Sequence, residues 1–519
     1  MRFYLYQING KLGDMQKNAE KILNFTKDFG KDCCTLLPSL PLIGHPCEEI
    51  SYIGGFFERV KKQSLACSHT NILYESISSL ENFSQQDFSG QGFFRREFSW
   101  ETCGTFTQSN TLFTLNSLKI FAPHTDTDNF AEFLANLTVP EETQLIYFAC
   151  AHTFYDGFSV QKILSEFTQK HRKALAYVNA CGASDGTVFA GQSMLFDENG
   201  SMLLQLKPFS EDSAYFDFDG KTITVQEKDI AQISADGLLF LGAKEALSDY
   251  AKKTNIKKAV IGLSGGMDSA LVACIACEAM GSENITGILM PSQYNSKESL
   301  DDALALAKNL GISFHIIHIS AIAKSFENAL AASFAKVEPL SKENDTTPEN
   351  IQARARGNLL TAFANRIGAM VIGTGNKSEA AMGYCTLYGD TVGALEPIAD
   401  IYKSRAYAVA KWYNDQKGKE IIPRNVFLKA PTAELKPNQK DEDTLPPYPY
   451  LDKVLYQLLE QGKAPEDIHE EHLTDNDIAL IYHRLKTSEF KRKQCPFPVI
   501  LSSCPFGKKW NPPSSAKVF

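Results

Sequence analysis

The chain has 519 residues, 44% hydrophobic and 22% charged, and a formal net charge of -9, the balance of an ordinary globular protein and of neither a collagen nor a disordered chain. That length predicts two large units or three small ones, and the acidity argues against a surface that wraps a nucleic-acid backbone, which relies on clustered Lys and Arg. There is no apolar run of about 18 residues and no charged-then-apolar start, so no membrane span is expected and the chain reads as cytoplasmic.

From residue 1 to about 226, short apolar runs alternate with turns. Strands are predicted over 3–8, 118–122, 145–151, 174–178 and 193–196, with a helix over 15–29. Asp197-Glu198-Asn199-Gly200 has the residues that a hairpin turn needs for positive φ. This half reads as a sheet with helices on its faces. From about residue 228, strands alternate with longer helical patterns: a helix over 239–254, a buried strand over 258–263, a Gly-rich turn, a helix over 269–280, then strands at 285–289, 313–318 and 370–372. Such alternation predicts a parallel, doubly wound sheet with ligands at the carboxyl ends of its strands. The change of texture divides the chain into 1–227 and 228–519. The polar stretches 341–349 and 437–449 read as exposed loops, of the kind that close over nucleotide crevices. Cys274 and Cys277 have the spacing of a redox pair or half a metal site. They sit in a helix-forming segment with no second pair following, and read as buried packing.

Leu263-Ser264-Gly265-Gly266-Met267-Asp268-Ser269-Ala270 lies between a predicted strand and a helix. Gly265 and Gly266 let the backbone turn tightly and bring N–H groups to phosphate oxygens, while the following helix aims its positive end at the same place. Ser264 and Ser269 add hydroxyl donors. Asp268 is a poor neighbour for phosphate unless a Mg²⁺ ion is shared between them. No Gly-Lys-Ser/Thr follows, so this is not a Walker sequence.

The segment from Ser264 to Ser269 resembles the pyrophosphate loop of the ATP-pyrophosphatase superfamily, whose members adenylate an oxygen and displace AMP with nitrogen or sulfur. Within that superfamily, Gly373-Thr374-Gly375-Asn376-Lys377-Ser378-Glu379 and Gly383-Tyr384-Cys385-Thr386-Leu387-Tyr388-Gly389-Asp390 closely resemble the NAD synthetase signature. Asn350 to Arg356, Lys403, Ala430 to Leu435, and Lys491-Arg492 fit the same family, and the resemblance covers residues 230 to 510. It implies ATP and deamido-NAD as substrates and Mg²⁺ held by Asp268 and Glu379. It further implies ATP contacts from Thr374, Lys403 and Thr432, and deamido-NAD contacts from Arg354 and Lys491. The chemistry agrees: expelling pyrophosphate builds charge on oxygen, which fixed cations and amide dipoles stabilise, so Asp268, Glu379 and Lys403 are the candidate catalytic residues.

The first half resembles the nitrilase-like glutaminase domain that precedes many NAD synthetases, through Gln7-Ile8-Asn9, Gly13-Asp14, Asn18 to Ile22, Tyr177-Val178-Asn179 and Gly191-Gln192-Ser193. The resemblance implies an α-β-β-α sandwich that releases ammonia from glutamine with a Cys nucleophile, a Glu base and a Lys. Here those positions hold Ser39, Thr125 and, by the best match, Arg95. Serine is no carboxylate base, Thr125 removes the thiolate, and arginine keeps the charge in a different geometry. Cys150, Cys181 and Cys103 are the thiols that could substitute. Free ammonia is therefore the expected nitrogen donor, against glutamine used through a displaced triad or a partner glutaminase. A homo-oligomer is implied by the resemblance alone. A tRNA-modifying protein with the same ATP loop is a rival that the acidity and the 373–390 match oppose.

Overall fold

The computed structural model describes residues 1–45, 71–82, 94–103, 107–109, 111–125, 130–230, 232–338, 340–341 and 345–515, with backbone alone at 75–82, 94–103 and 107–109. These residues form two compact units, Met1–Ile233 and Ser234–Phe519. The division falls beyond the change of texture at residue 228 because Lys228 still belongs to the first unit, where its Nζ donates to Asp212 Oδ1 at 2.6 Å.

The first unit holds two sheets. One runs in the order Ile223–Val225, Asp212–Phe218, Arg2–Gln7, Cys33–Leu36, Asn71–Asn82, Phe94–Cys103; the other runs Met202–Gln205, Met194–Phe196, Ala174–Asn179, Leu145–Cys150, Leu118–Phe121, Leu112–Leu115, Thr107–Ser109. Successive side chains of a strand point to opposite faces, and the buried residues sort accordingly. Phe3, Leu5 and Leu36 of the first sheet share a core with Ile120, Leu145, Tyr147 and Val178 of the second. On the outer face of the first sheet, Tyr6 and Ile8 pack on Ala19 and Ile22 of the helix Met15–Thr26. On the outer face of the second, Ile146, Phe148, Cys150 and Tyr177 pack on Leu164 and Phe167 of the helix Gln161–His171 and on Phe130 and Leu134 of the helix Phe130–Asn136. The layers are thus α-β-β-α. The expected hairpin is present: Asp197 Oδ1 accepts from the N–H groups of Asn199 and Ser201, and Gly200 takes φ +80°.

In the second unit four strands run parallel in the order Ser313–Ile316, Ile285–Leu289, Ala259–Gly262, Met370–Val371. The chain starts in the middle, at Ala259–Gly262, moves outward on one side and returns on the other, so a topological switch point lies between Ala259–Gly262 and Met370–Val371. Crevices at such points receive ligands. The helix Ala235–Lys253, begun by Ser234 accepting from Gly237 N–H, packs beside the helices Met267–Met280 and Lys403–Lys417. Cys274 and Cys277 lie buried in Met267–Met280, and burial pushes the Cys277 thiol up to about 11. A second core gathers around the helices Tyr448–Leu459 and Asp475–Thr487. The stretches expected as loops are partly helical: Thr347–Ile367 begins inside one and Tyr448–Leu459 inside the other, each with a proline in its first turn, where a missing N–H costs nothing.

Candidate active site

Two loops leave the carboxyl ends of the strands at the switch point. After Ala259–Gly262 the chain turns through Ser264 to Gly266 and enters Met267–Met280, whose amino-terminal N–H groups and dipole face the crevice. Gly265 has φ +79°, and a Cβ on it would lie 2.1 Å from Ser299 O, so no other residue fits without movement. The turn is braced internally: Ser264 Oγ lies 3.0 Å from Ser269 Oγ and accepts from Gly266 N–H at 3.2 Å. After Met370–Val371 comes 373–376, in which Asn376 Oδ1 accepts from Glu379 N–H at 3.0 Å and caps the helix Lys377–Met382.

Asp268 is in the first turn of Met267–Met280, Glu379 in Lys377–Met382, and Lys403 opens Lys403–Lys417. Lys403 Nζ binds Asp268 Oδ2 and lies 3.2 Å from Glu379 Oε1. The three residues picked from separate motifs are therefore one cluster. It is held from behind by Asp452, whose carboxylate accepts from Ser378 Oγ and from the N–H and Oγ of Ser404. Lys377, fully buried, is structural: it pairs with Asp400 at 2.9 Å and Glu460 at 2.6 Å.

Burial pushes the Glu379 carboxyl up to about 8; Lys403 opposes this, and the charges of Asp268 and Asp441 add to it. Burial alone would lower Lys403, yet Asp268 and Glu379 hold it above its ordinary value. Asp441, raised chiefly by burial, leaves the cluster with three carboxyl groups against one ammonium. Asp268 Oδ1 is buried without a hydrogen-bond partner. Two oxygen ligands, a surplus of negative charge and an orphaned carboxylate oxygen suit Mg²⁺, which is commonly held by one or two carboxylates together with substrate phosphates.

A cavity of about 300 Å³ opens on this cluster. Ser264, Gly266, Ser269, Thr374, Glu379, Lys403 and Thr432 line it, with Asp268. Thr432 Oγ donates to Gln439 O at 2.6 Å, which fixes its loop. Arg354 and Lys491 do not line it. Arg354 is exposed, with Nε donating to Leu387 O at 3.2 Å, and Lys491 Nζ donates to Gly383 O and Cys385 O. Arg356 and Glu434, which stand in the recognised runs at 350–356 and 430–435 without an assigned role, and Lys429 and Glu396, which stand outside any recognised motif, also line it. Lys429 Nζ donates to Gly265 O at 2.9 Å and Ser299 Oγ at 2.8 Å, and Glu434 Oε1 accepts from Ser296 Oγ and Ser299 Oγ. Lys429 stands one residue before the recognised run at 430–435, the only signal that could have marked it.

In the first unit Ser39 and Thr125, two of the three residues matched by resemblance to the triad, both lie against the Ala149–Cys150 strand end. Ser39 N–H donates to Cys150 O at 3.3 Å, Thr125 Oγ donates to Ala149 O at 2.7 Å, and Cys150 Sγ is 3.8 Å from Thr125 Oγ. Cys181 instead has its Sγ 3.6 Å from Gln7 O. Arg95 pairs with Glu81 in the strand register, and its side chain and that of Cys103 lie outside the described residues, as do Asp126 and Thr127.

The Gly-rich loops at the switch point, with a buried Lys between two carboxylates, define an adenine-nucleotide enzyme of the doubly wound class. The family model for NAD synthase matches residues 241–495. Glutamine-dependent NAD(+) synthetases of Thermotoga maritima and Aquifex aeolicus are 34% and 30% identical, over 99% of this chain and 98% and 99% of theirs. The glutamine-dependent NAD+ synthetase of Acinetobacter baumannii, solved with ADP, superposes with a TM-score of 0.71 at 26% identity, covering 98% of this chain and 97% of that one. That of Cytophaga hutchinsonii shares the fold, with a TM-score of 0.76. The chain belongs to the two-domain NAD synthetase family, ligases that use ATP to form a carbon–nitrogen bond, with a nitrilase-like first domain. Family membership also sets the tRNA-modifying rival aside.

Proposed function

We propose that the protein converts deamido-NAD to NAD by adenylating the nicotinate carboxylate and displacing AMP with ammonia, releasing AMP and pyrophosphate. The observation that carries this is Lys403 set between Asp268 and Glu379 at the mouth of the Ser264–Ser269 loop. Asp268 and Glu379 would hold Mg²⁺, which when bound offsets phosphate charge. The N–H groups of the loop and Lys403 neutralise the leaving pyrophosphate, and Thr374 and Thr432 position the nucleotide. No protein nucleophile is needed, because the substrate carboxylate attacks the α-phosphorus itself. Arg354 and Lys491 are read as deamido-NAD contacts outside the ATP cavity.

Ammonia as donor is supported by Ser39 and Thr125, whose neutral hydroxyls are weak nucleophiles without an adjacent base. The relatives favour a second reading, since those matched over their whole length are named glutamine-dependent. In it glutamine is used through a displaced nucleophile, for which Cys150, with its Sγ 3.8 Å from Thr125 Oγ, is the candidate, or through a partner glutaminase. The two readings separate in one assay at fixed ATP and deamido-NAD. Ammonia use predicts NAD from ammonium chloride and little from glutamine. Glutamate released in step with NAD and lost in Cys150→Ala would establish the second. A cytoplasmic site of action is supported by Cys33, Cys34, Cys274 and Cys277, all thiols and none in a disulfide.

A further inference from the structure

Glu396 ends the short strand Leu395–Glu396, which pairs in parallel with Phe497–Pro498. Its side chain lies beneath the 373–375 loop and is 5% exposed. A Cβ on Gly373 would come within 2.5 Å of its Cγ, and one on Gly375 within 3.0 Å of its Oε1, so both glycines leave the room that this carboxyl fills. Glu396 also lines the ATP cavity. Among the described residues no donor hydrogen-bonds to its carboxyl group, although its main-chain oxygen accepts from Val499 N–H at 3.1 Å. A carboxyl group that lines a substrate cavity and has no donor of its own there points to a partner that arrives with the reactants.

The charge around it narrows what that partner is. The titratable groups that face it are Cys385, Cys495, Asp390 and Glu379, all neutral or acidic. Lys403 serves Asp268 and Glu379. A polyphosphate or carboxylate would be repelled here, whereas a small cation with N–H donors would be drawn in. Of the reactants in the proposed amidation, one has that chemistry: ammonium, the form that ammonia takes in water near neutral pH. Asp390 is less available, because its Oδ1 already accepts from Thr386 N–H at 2.7 Å.

We propose that Glu396 captures ammonium and removes one of its protons, releasing ammonia beside the adenylate. This rests on the reading above that the second domain consumes ammonia, whatever its source. In the step an N–H bond of ammonium breaks, its electron pair stays on nitrogen, and the proton passes to a carboxylate oxygen of Glu396. The nitrogen pair then forms the bond to the acyl carbon, and the C–O bond to AMP breaks with its pair leaving on AMP. The further proton that nitrogen sheds, and the one on Glu396, go to solvent before the next turnover. Burial, reinforced by Cys385, Asp390 and Glu379, pushes the Glu396 carboxyl up to about 8. That makes it a far better competitor for ammonium's proton than an ordinary glutamate near about 4.3, and places it close to working pH, where general bases are most effective.

The test uses the full chain as wild type, Glu396→Gln and Glu396→Asp. NAD formation from ammonium chloride is followed from about pH 6.5 to about 9, beside exchange of labelled pyrophosphate into ATP with deamido-NAD and no ammonia. The expected result is that Glu396→Gln keeps exchange, loses about tenfold or more in kcat/KM for ammonium near neutral pH, and regains rate with pH in proportion to free ammonia. Glu396→Asp should restore part of the loss. A Glu396→Gln enzyme with the wild-type ammonium KM and pH profile overturns the proposal. So does equal loss of exchange and amidation in both variants, which would mark Glu396 as structural. Wild-type enzyme that fails in exchange or makes no NAD from ammonium would instead overturn the underlying function.

Discussion

Lys403 reaches two acids that lie 135 and 24 residues away in the sequence, and the proposed catalysis depends on that contact. Removing either acid leaves Lys403 with one partner and strips an oxygen ligand from the place proposed for Mg²⁺. Asp268→Ala and Glu379→Ala should each lower kcat by several powers of ten, every power corresponding to about 1.4 kcal/mol of barrier. Steady-state rates with either variant check this, and wild-type turnover would remove that residue from the machinery. These three residues were legible because each stands in a contiguous motif of glycines, hydroxyls and charges. Glu396 and Lys429 were not, since both stand outside those motifs, and Arg356, though inside the run 350–356, is shown to line the cavity only by the fold. Arg356 Nε donates to Met290 O, 66 residues away, a contact that only the folded sheet creates.

At the level of elements, the strand-to-helix turn at Gly265 carries the most demanding geometry. Its φ of +79° disfavours a side chain by about 1 to 2 kcal/mol, and a Cβ there would also overlap Ser299 O. Gly265→Ala should therefore push the loop away from Ser299 and Lys429, raising KM for ATP and lowering kcat together. Unchanged ATP kinetics in a folded variant would contradict the role assigned to the turn. Continuous apolar runs bounded by turns made the central strands legible, as at Leu145–Cys150, Ala174–Asn179 and Ile285–Leu289. Cys33–Leu36 is too short to show a period, and Asn71–Asn82 and Phe94–Cys103 are rich in Ser, Glu and Arg. Those strands owe their place to pairing with neighbours, Cys34 opposite Asn71 and Ile72 opposite Cys103, and not to their own composition.

At the scale of the whole molecule, the second unit leaves an apolar face open. Ser313–Ile316 is the edge strand of its sheet with Phe314 and Ile316 exposed, and the helix Ser320–Phe334 exposes Phe326 and Phe334. Formation of an acyl-adenylate leaves an isotopic signature in the products. Deamido-NAD carrying heavy oxygen in its nicotinate carboxylate is converted with ATP and ammonium chloride, and the products are weighed by mass spectrometry. One heavy oxygen is expected in AMP, the other retained in the NAD amide, and none in pyrophosphate. Heavy oxygen in inorganic phosphate alongside ADP, or AMP free of label, would contradict an acyl-adenylate.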